Sequence, residues 1–497
     1  MAAGARPPPE RQWKVPGAPD TDEWAASFSR ATVDLAKMDV HSISYQESAE
    51  RLRTLLKTGL LRHTDLTAHP ERFFLAHRLL ARHAPQLGPG FWVRFTVHYN
   101  LCAGTVLGLG SAEQVAMLDD WQERGLLGCF SLTEKLAGVS SGLVVNTQAH
   151  YDAHTDSFTL NSPDRGAFKN WISQGLVADR TVVVADLFVA GKSHGPHAFV
   201  MALRDAGEPA AGVLLEDMGR KTVGNDLDNA AIGFDHVVLP RSALLNRFAD
   251  VVDGEYVQKV KGMPAFQMIG QRLFTGRVAV AQAALEFRRG LFESTKAYAD
   301  TKRCWAPSGK PVLSDIPQLK AIFAENERKL APLDAFVARC EAQLNDTLRA
   351  DALPELSLVE AIAVAKVKAV EESIEITHRL QNEVGSYALM VGSGFEQKDF
   401  LTMCKFAEGD SRVLMQKMAR DRLRLFEKKQ ASTDSAAWDA ETKQCAALSA
   451  DLAAMVTKSG ADRQQAWDEK WEDVYALAET IMRNKMESFM TETMRNE

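Results

Sequence analysis

Residues 181–191 read TVVVADLFVAG and residues 197–205 read HAFVMALRD. Both runs are short, rich in β-branched or aromatic residues, and separated by a Gly- and Pro-bearing linker, the pattern of strands. The same texture returns in GLVVNTQAHYD (142–152), SFTLNSP (157–163), AGVLLEDMG (211–219) and AAIGFDHVVLP (230–240). No amphipathic stretch of roughly 10–15 residues lies between consecutive strands, which argues against a parallel Rossmann sheet. The expectation is a small antiparallel, barrel-like β domain over residues 126–250.

Outward from this block, the apolar period changes from two to three or four. SAERLRTLLKTGLL and PERFFLAHRLLARHA are helical on the N-terminal side, and SAEQVAMLDDW starts sharply where Ser111 and Gln114 have capping-box spacing. On the C-terminal side RVAVAQAALEFRRGLFESTKAYADTKR places Val278, Ala281, Leu285 and Phe292 along one face. Trp467, Trp471, Val474, Ala478 and Ile481 recur at helical spacing near the C-terminus and read as core or subunit contact. The fold class expected is α+β: an N-terminal helical domain, a middle antiparallel β-barrel-like domain and a C-terminal helical bundle. The divisions read are an extended Pro-rich arm (1–24), helices (25–125), β domain (126–250), helical bundle (251–430) and a helical extension (431–497).

Composition excludes several function classes. A chain of 497 residues with 46% hydrophobic and 25% charged residues is ordinary for a globular protein of more than one domain. A formal charge of -7 and the lack of a basic stripe argue against nucleic acid. No run approaches the roughly 20 apolar residues of a membrane helix, so the chain is expected to be soluble and intracellular. The six cysteines form no CxxC pair, which fits a reducing compartment. His194/His197 and His150/His154 lack further ligands at metal spacing, so no metal is expected. HExxH and P-loop motifs are absent.

Three stretches remain for chemistry. GCFSLTEKLAGVSSG (128–142) offers Thr133 and backbone N–H groups near Gly138 on a loop, suited to a polar ring edge or a phosphate, or simply a domain-joining loop. KNWISQG (169–175) sets Trp171 two residues before Ser173, so that a strand would present an indole and a hydroxyl on one side. CKFAEGDSRVLMQKMARD (404–421) interrupts an apolar approach with Glu408 and Gly409 just before a helical run. Its carboxylate is either a helix-start acid or a base at a pocket edge.

Together, in this order, these stretches resemble the acyl-CoA dehydrogenase and acyl-CoA oxidase flavoproteins from about residue 40 to 425. Cys129, Thr133, Glu134 and Gly138 match the family's flavin loop C-x-x-x-T-E-x-x-x-G. KNWISQG matches K-x-W-I-[TS]-N-G at five of the seven positions, and GFDHVVLPRSALL is similar to F-x-x-V-x-V-P-x-x-x-x-L. The resemblance implies FAD, held by Thr133, the backbone at Phe130 and Leu132, Trp171, Ser173 and Asp410. Gly138 and Val139 would border the diphosphate or the CoA entrance, and Arg277 the substrate. At the family's cross-subunit arginine stands Lys302, with Arg303 beside it, implying a homodimer or homotetramer.

Glu408 in FAEG matches the family's base, with Ala407 inserted between aromatic and acid. A second branch carries its base on an earlier helix, where this chain has Gly276. The implied reaction is removal of a fatty acyl-CoA α-proton by Glu408 and hydride loss to the flavin, giving a trans-2-enoyl-CoA. The Glu408 N–H and a ribityl hydroxyl would hold the thioester carbonyl. DMGRKTVGNDLDNAAIGFDHVVLPRSALL, SPDRGAFKNWIS and HPERFFLAHRLLA look closer to the oxidases, which reoxidise with oxygen and release hydrogen peroxide. Alternatives are a dehydrogenase passing electrons to an electron-transfer flavoprotein, and a non-catalytic structural subunit. The resemblance points to a peroxisomal setting, although MRNE is not a Ser-Lys-Leu-type address.

Overall fold

The computed structural model describes residues 21–35, 43–83, 87–138, 144–260, 271–305, 307, 309, 312–429, 439–459 and 462–496. Its N-terminal helices are α1 (Thr21–Leu35), α2 (Tyr45–Lys57), α3 (Asp65–Ala68), α4 (Pro70–Arg82), α5 (Pro89–Thr96), α6 (Gly104–Leu109) and α7 (Ala112–Arg124). Helix α1 takes in residues 21–24, which the sequence assigned to the arm; residues 1–20 lie outside the described residues. The capping box is real: Ser111 Oγ accepts the Gln114 N–H, and the Gln114 side chain accepts the Ser111 N–H at 2.9 Å. At the other end of α7, Gly125 closes the helix at φ 68°, a left-handed conformation that suits glycine. Between α5 and α6 the chain loosens into a π-helix, Val97–Ala103, which the sequence reading did not foresee.

The β region supplies β1 (Gly128–Ser131), β2 (Gln148–Asp152), β3 (Ser157–Asn161), β4 (Lys169–Ser173), β5 (Arg180–Val189) and β6 (Lys192–Ala202). A two-residue pair follows, β7 (Arg204–Asp205) with β8 (Glu208–Pro209), then β9 (Val213–Asp217), β10 (Asn229–Phe234) and β11 (Val237–Pro240). A last hairpin joins β12 (Ala249–Val252) to β13 (Glu255–Gln258). The larger sheet runs β1-β5-β2-β3-β11 with β6 also on β5, and the smaller runs β4-β10-β9. The expectation of an antiparallel domain is corrected here: β1 and β2 both pair with β5 in parallel, and the remaining pairs are antiparallel. The long connections from β1 and β2 to β5 leave room for the crossovers that parallel pairing needs. Phe158, Leu160, Val183, Phe199, Ile232 and Phe234 form the buried core shared by the two sheets.

The C-terminal helices are α8 (Gln271–Thr301), α9 (Pro317–Arg349), α10 (Leu356–Glu383), α11 (Asp399–Phe406), α12 (Ser411–Lys429), α13 (Ala440–Ser459), α14 (Arg463–Glu469) and α15 (Trp471–Asn496). Helix α8 packs on α4, α9 and α10. It is not one-sided as expected: every residue from Val278 to Leu285 is buried, as in a central helix enclosed all round. Its core is continuous with Phe73, Phe74, Leu79 and Leu80 of α4, so the N- and C-terminal helices share one apolar interior. The aromatic stripe near the C-terminus is broken at Lys470: Trp467, Val474, Ala478 and Ile481 are buried together, whereas Trp471 stands half-exposed. No helix among the described residues is long and apolar enough to cross a membrane.

One buried ion pair fastens the loop after β1 to β4. Lys169 Nζ donates to Glu134 Oε1 at 2.8 Å and to the Val184 carbonyl at 2.7 Å, and both side chains are fully enclosed. Burial pushes the Lys169 ammonium down to about 8, against the pull of Glu134. The Glu134 carboxylate also accepts from the Asn146 and Thr147 N–H groups. Lys169→Met leaves that carboxylate enclosed without its cation, so stability should fall by roughly 3–5 kcal/mol. Urea unfolding measures the loss, and adding Glu134→Gln should recover part of it.

Candidate functional site

Two groups of the expected residues are gathered by the fold, and a third element joins them. The first group surrounds the loop after β1. Asn170 N–H donates to the Thr133 carbonyl at 2.7 Å and Lys135 N–H to that of Phe168 at 2.9 Å, so this loop lies along β4 as an extra strand edge. Phe130 is buried, Leu132 is half-buried, and Thr133 and Gly138 are exposed. Val139 lies outside the described residues.

Strand β4 carries a bulge: Ala230 faces Ile172 while Ile232, two residues on, faces Lys169, three residues back. Trp171 occupies the extra position at φ 58°, a left-handed conformation costly for a bulky side chain. Trp171 is 57% exposed, while its backbone N–H donates to Met218 Sδ at 3.2 Å. Ser173, on the same side beyond buried Ile172, is half-buried and accepts from Asn229 Nδ2 at 3.2 Å. A strained backbone that turns a large aromatic outward fits a platform for a flat ligand better than it fits packing.

The second group is built around Glu408. Helix α11 ends at Phe406, Ala407 is extended, and Glu408 and Gly409 take φ 57° and 102° before α12 begins at Ser411. A helix-start acid would not need this left-handed turn. The turn throws the Glu408 side chain back against α8, where Gly276 receives it: a Cβ there would stand 2.2 Å from the carboxyl carbon. Asn100 Nδ2, on the π-helix, reaches Oε1 at 3.4 Å; Oε2 is enclosed with no hydrogen-bond partner among the described residues. Burial pushes the carboxyl up to about 7, opposed by Arg277, the Asn100 amide and Lys366.

Arg277 was expected to border the substrate. In the structure its Nε donates to the Glu408 carbonyl at 3.0 Å, so its guanidinium grips the turn. Burial lowers it to about 10, which leaves it cationic at neutral pH. Asp410, expected at the cofactor, is already engaged: its carboxylate accepts the Arg412 N–H at 2.8 Å and pairs with the Arg412 guanidinium at 3.3 Å. Lys302 and Arg303 are exposed at the far end of α8, about 39 Å from Gly276 at 1.5 Å per residue. They cannot share a site with Glu408 of the same chain.

The joining element is the π-helix. His98 Nδ1 accepts the Gly128 N–H at 3.1 Å, beneath the first group, and Asn100 two residues on touches Glu408. π-Helical turns are rare and concentrate at functional sites. Asn100 and Lys366 are the residues that the sequence reading missed. A polar Asn in the largely apolar VHYNLCAG run, and a Lys in AIAVAKVKAV, are the signals that could have marked them.

No protein-family description matches the chain. It is 34% identical to acyl-coenzyme A oxidase 2 of Yarrowia lipolytica over 260 residues, 50% of this chain and 35% of that one. To human peroxisomal acyl-coenzyme A oxidase 3 it is 32% identical over 247 residues, 46% of this chain and 35% of that one. The matches thus span about a third of those relatives' length. Acyl-CoA oxidase-2 of Caenorhabditis elegans, solved with FAD, ascaroside-CoA and ATP, superposes with a TM-score of 0.79 at 20% identity, covering 97% of this chain and 78% of that one. Butyryl-CoA dehydrogenase of Megasphaera elsdenii gives 0.62 at 19% identity, covering 81% and 98%. Over its matched stretch the chain is similar in sequence to acyl-CoA oxidases, and its fold is that of acyl-CoA oxidases and of an acyl-CoA dehydrogenase.

Proposed function

We propose that the chain oxidises fatty acyl-CoA to trans-2-enoyl-CoA as an FAD-dependent acyl-CoA oxidase, with oxygen as electron acceptor and hydrogen peroxide as by-product. The observation that carries this reading is the Glu408 carboxylate: enclosed, one oxygen unpartnered, seated over a glycine, with a pKa near 7. Such a group is poised to accept a proton near neutral pH from a weak carbon acid. The backbone N–H of Glu408, adjacent to that carboxylate, is suited to receive the thioester carbonyl as negative charge develops on it.

The residues of the first group fit a flavin. Trp171 offers an exposed indole face, and Ser173 and Thr133 offer hydroxyls on elements made rigid by the Glu134–Lys169 pair. Phe130, Leu132, Thr133, Trp171 and Ser173 would hold the ring, with Gly138 toward the diphosphate or the CoA entrance. FAD, when bound, supplies the hydride acceptor. The exposed Lys302 and Arg303 suit a reach to a second subunit's cofactor, in a homodimer or homotetramer. A peroxisomal setting, carried in the name of the human relative, belongs to the same reading.

Glu408→Gln should leave flavin content normal and lower anaerobic flavin reduction by acyl-CoA at least ~10²-fold; persistent fast reduction would remove Glu408 from the role. In the unmodified protein the reduction rate should rise with pH through about 7, because only the ionised carboxylate accepts a proton. Stopped-flow measurements across pH 5–9 (roughly two units either side) test this. Gly276→Ala should displace the carboxylate and cut the reduction rate by ~10²-fold, with the flavin spectrum retained. Peroxide formed in air with acyl-CoA supports the oxidase; its absence alongside rapid dye reduction supports the dehydrogenase.

A further inference from the structure

Lys366, on α10, is fully enclosed, yet among the described residues no carboxylate touches it. Its Nζ donates to the Lys405 carbonyl at 2.6 Å, the Gly409 carbonyl at 2.8 Å and Ser411 Oγ at 3.2 Å. Those three contacts use all the donors an ammonium has. They also bracket Glu408: one acceptor lies in the last turn of α11, one directly follows the acid, and one opens α12. A cation at the C-terminal end of a helix meets the negative end of its dipole. Taking an ammonium out of water costs several kcal/mol, and an apolar side chain of this length would fill the space without that cost. Burial lowers the Lys366 ammonium to about 7, opposed by Cys404 and Asp410, and three oxygen acceptors around one amine favour its protonated form.

We propose that Lys366 is a positioning residue for proton transfer, holding the 405–411 turn so that Glu408 keeps its left-handed backbone and its carboxylate stays aimed over Gly276. The role rests on Glu408 being the base. Arg277 grips the Glu408 carbonyl from α8 while Lys366 grips the carbonyls on either side from α10, so two cations from two helices fix three carbonyls of one turn. The charged and titratable groups facing Lys366 are Asp410, Cys404, Arg277 and Glu371; those facing Glu408 are Arg277 and Lys366, with the Asn100 amide. Glu371 is itself paired with Lys405 at 2.8 Å, so it is not available as a direct partner.

The sign of the electrostatic effect is fixed. While protonated, Lys366 favours the ionised form of Glu408, so its removal raises the carboxyl pKa and moves the rate–pH midpoint to higher pH. A side chain that merely fills space would leave that midpoint in place. Lys366→Met, saturated with FAD, should lose ~10²-fold in the rate of flavin reduction, with KM for acyl-CoA unchanged and the midpoint shifted up. Lys366→Gln, which keeps donors but no charge, should recover part of the rate while showing the same upward shift. Unchanged rate and midpoint in Lys366→Met overturn the proposal. Should that variant not fold, Lys366→Gln decides by the same criterion. Glu408→Gln, run in parallel, separates the two ideas. If it stays active, the base assignment fails; if it is inactive while the Lys366 variants behave like the parent, only the clamp fails.

Discussion

The turn from Lys405 to Ser411 is where four helices of the C-terminal half converge, and its backbone carbonyls are the points by which they hold one another. Left to itself, a glutamate with positive φ would relax by rotating its peptide planes, at a gain of order 1 kcal/mol or more. Arg277 and Lys366 prevent this by engaging the carbonyls of Lys405, Glu408 and Gly409. The same geometry buries a carboxylate oxygen with nothing to bond to, and burial then sets its affinity for protons. Backbone strain, cation placement and acid strength are thus one arrangement seen from three sides.

The β region solves a different problem, that of holding a large flat surface open to solvent. An exposed indole on a bulge has no packing to define it, so the definition has to come from below. It comes from the Glu134–Lys169 pair, which locks the loop to the strand, and from Met218 and Asn229 on the neighbouring segments. The π-helix ties this platform to the acid through His98 and Asn100. Residues two apart on a helix point to nearly opposite sides, so His98 and Asn100 address two different halves of the molecule.

Much of this was legible in the chain and some was not, for identifiable reasons. Short β-branched runs such as TVVVADLFVAG marked strands correctly because β-branched residues fit a pleated surface. They could not report pairing direction, which depends on where the chain returns, so the parallel β1–β5 and β2–β5 pairs were missed. Ser111 and Gln114 announced a helix start because capping chemistry is local. Gly276, by contrast, was noted only as a glycine where a base stands in another branch. Its fit to Glu408, 132 positions away along the chain, exists only after folding. Asp410 had the right composition for a ligand contact, yet the nearby Arg412 claims it.

The fit between Gly276 and Glu408 also constrains how such a chain can change over time. Two side chains contend for a single volume, so an acid could be relocated from one helix to the other only along a route on which the first site is vacated before the second is filled. A chain with neither acid in place would carry no proton acceptor there, and with Glu408 in place any side chain at 276 has to push the carboxylate aside.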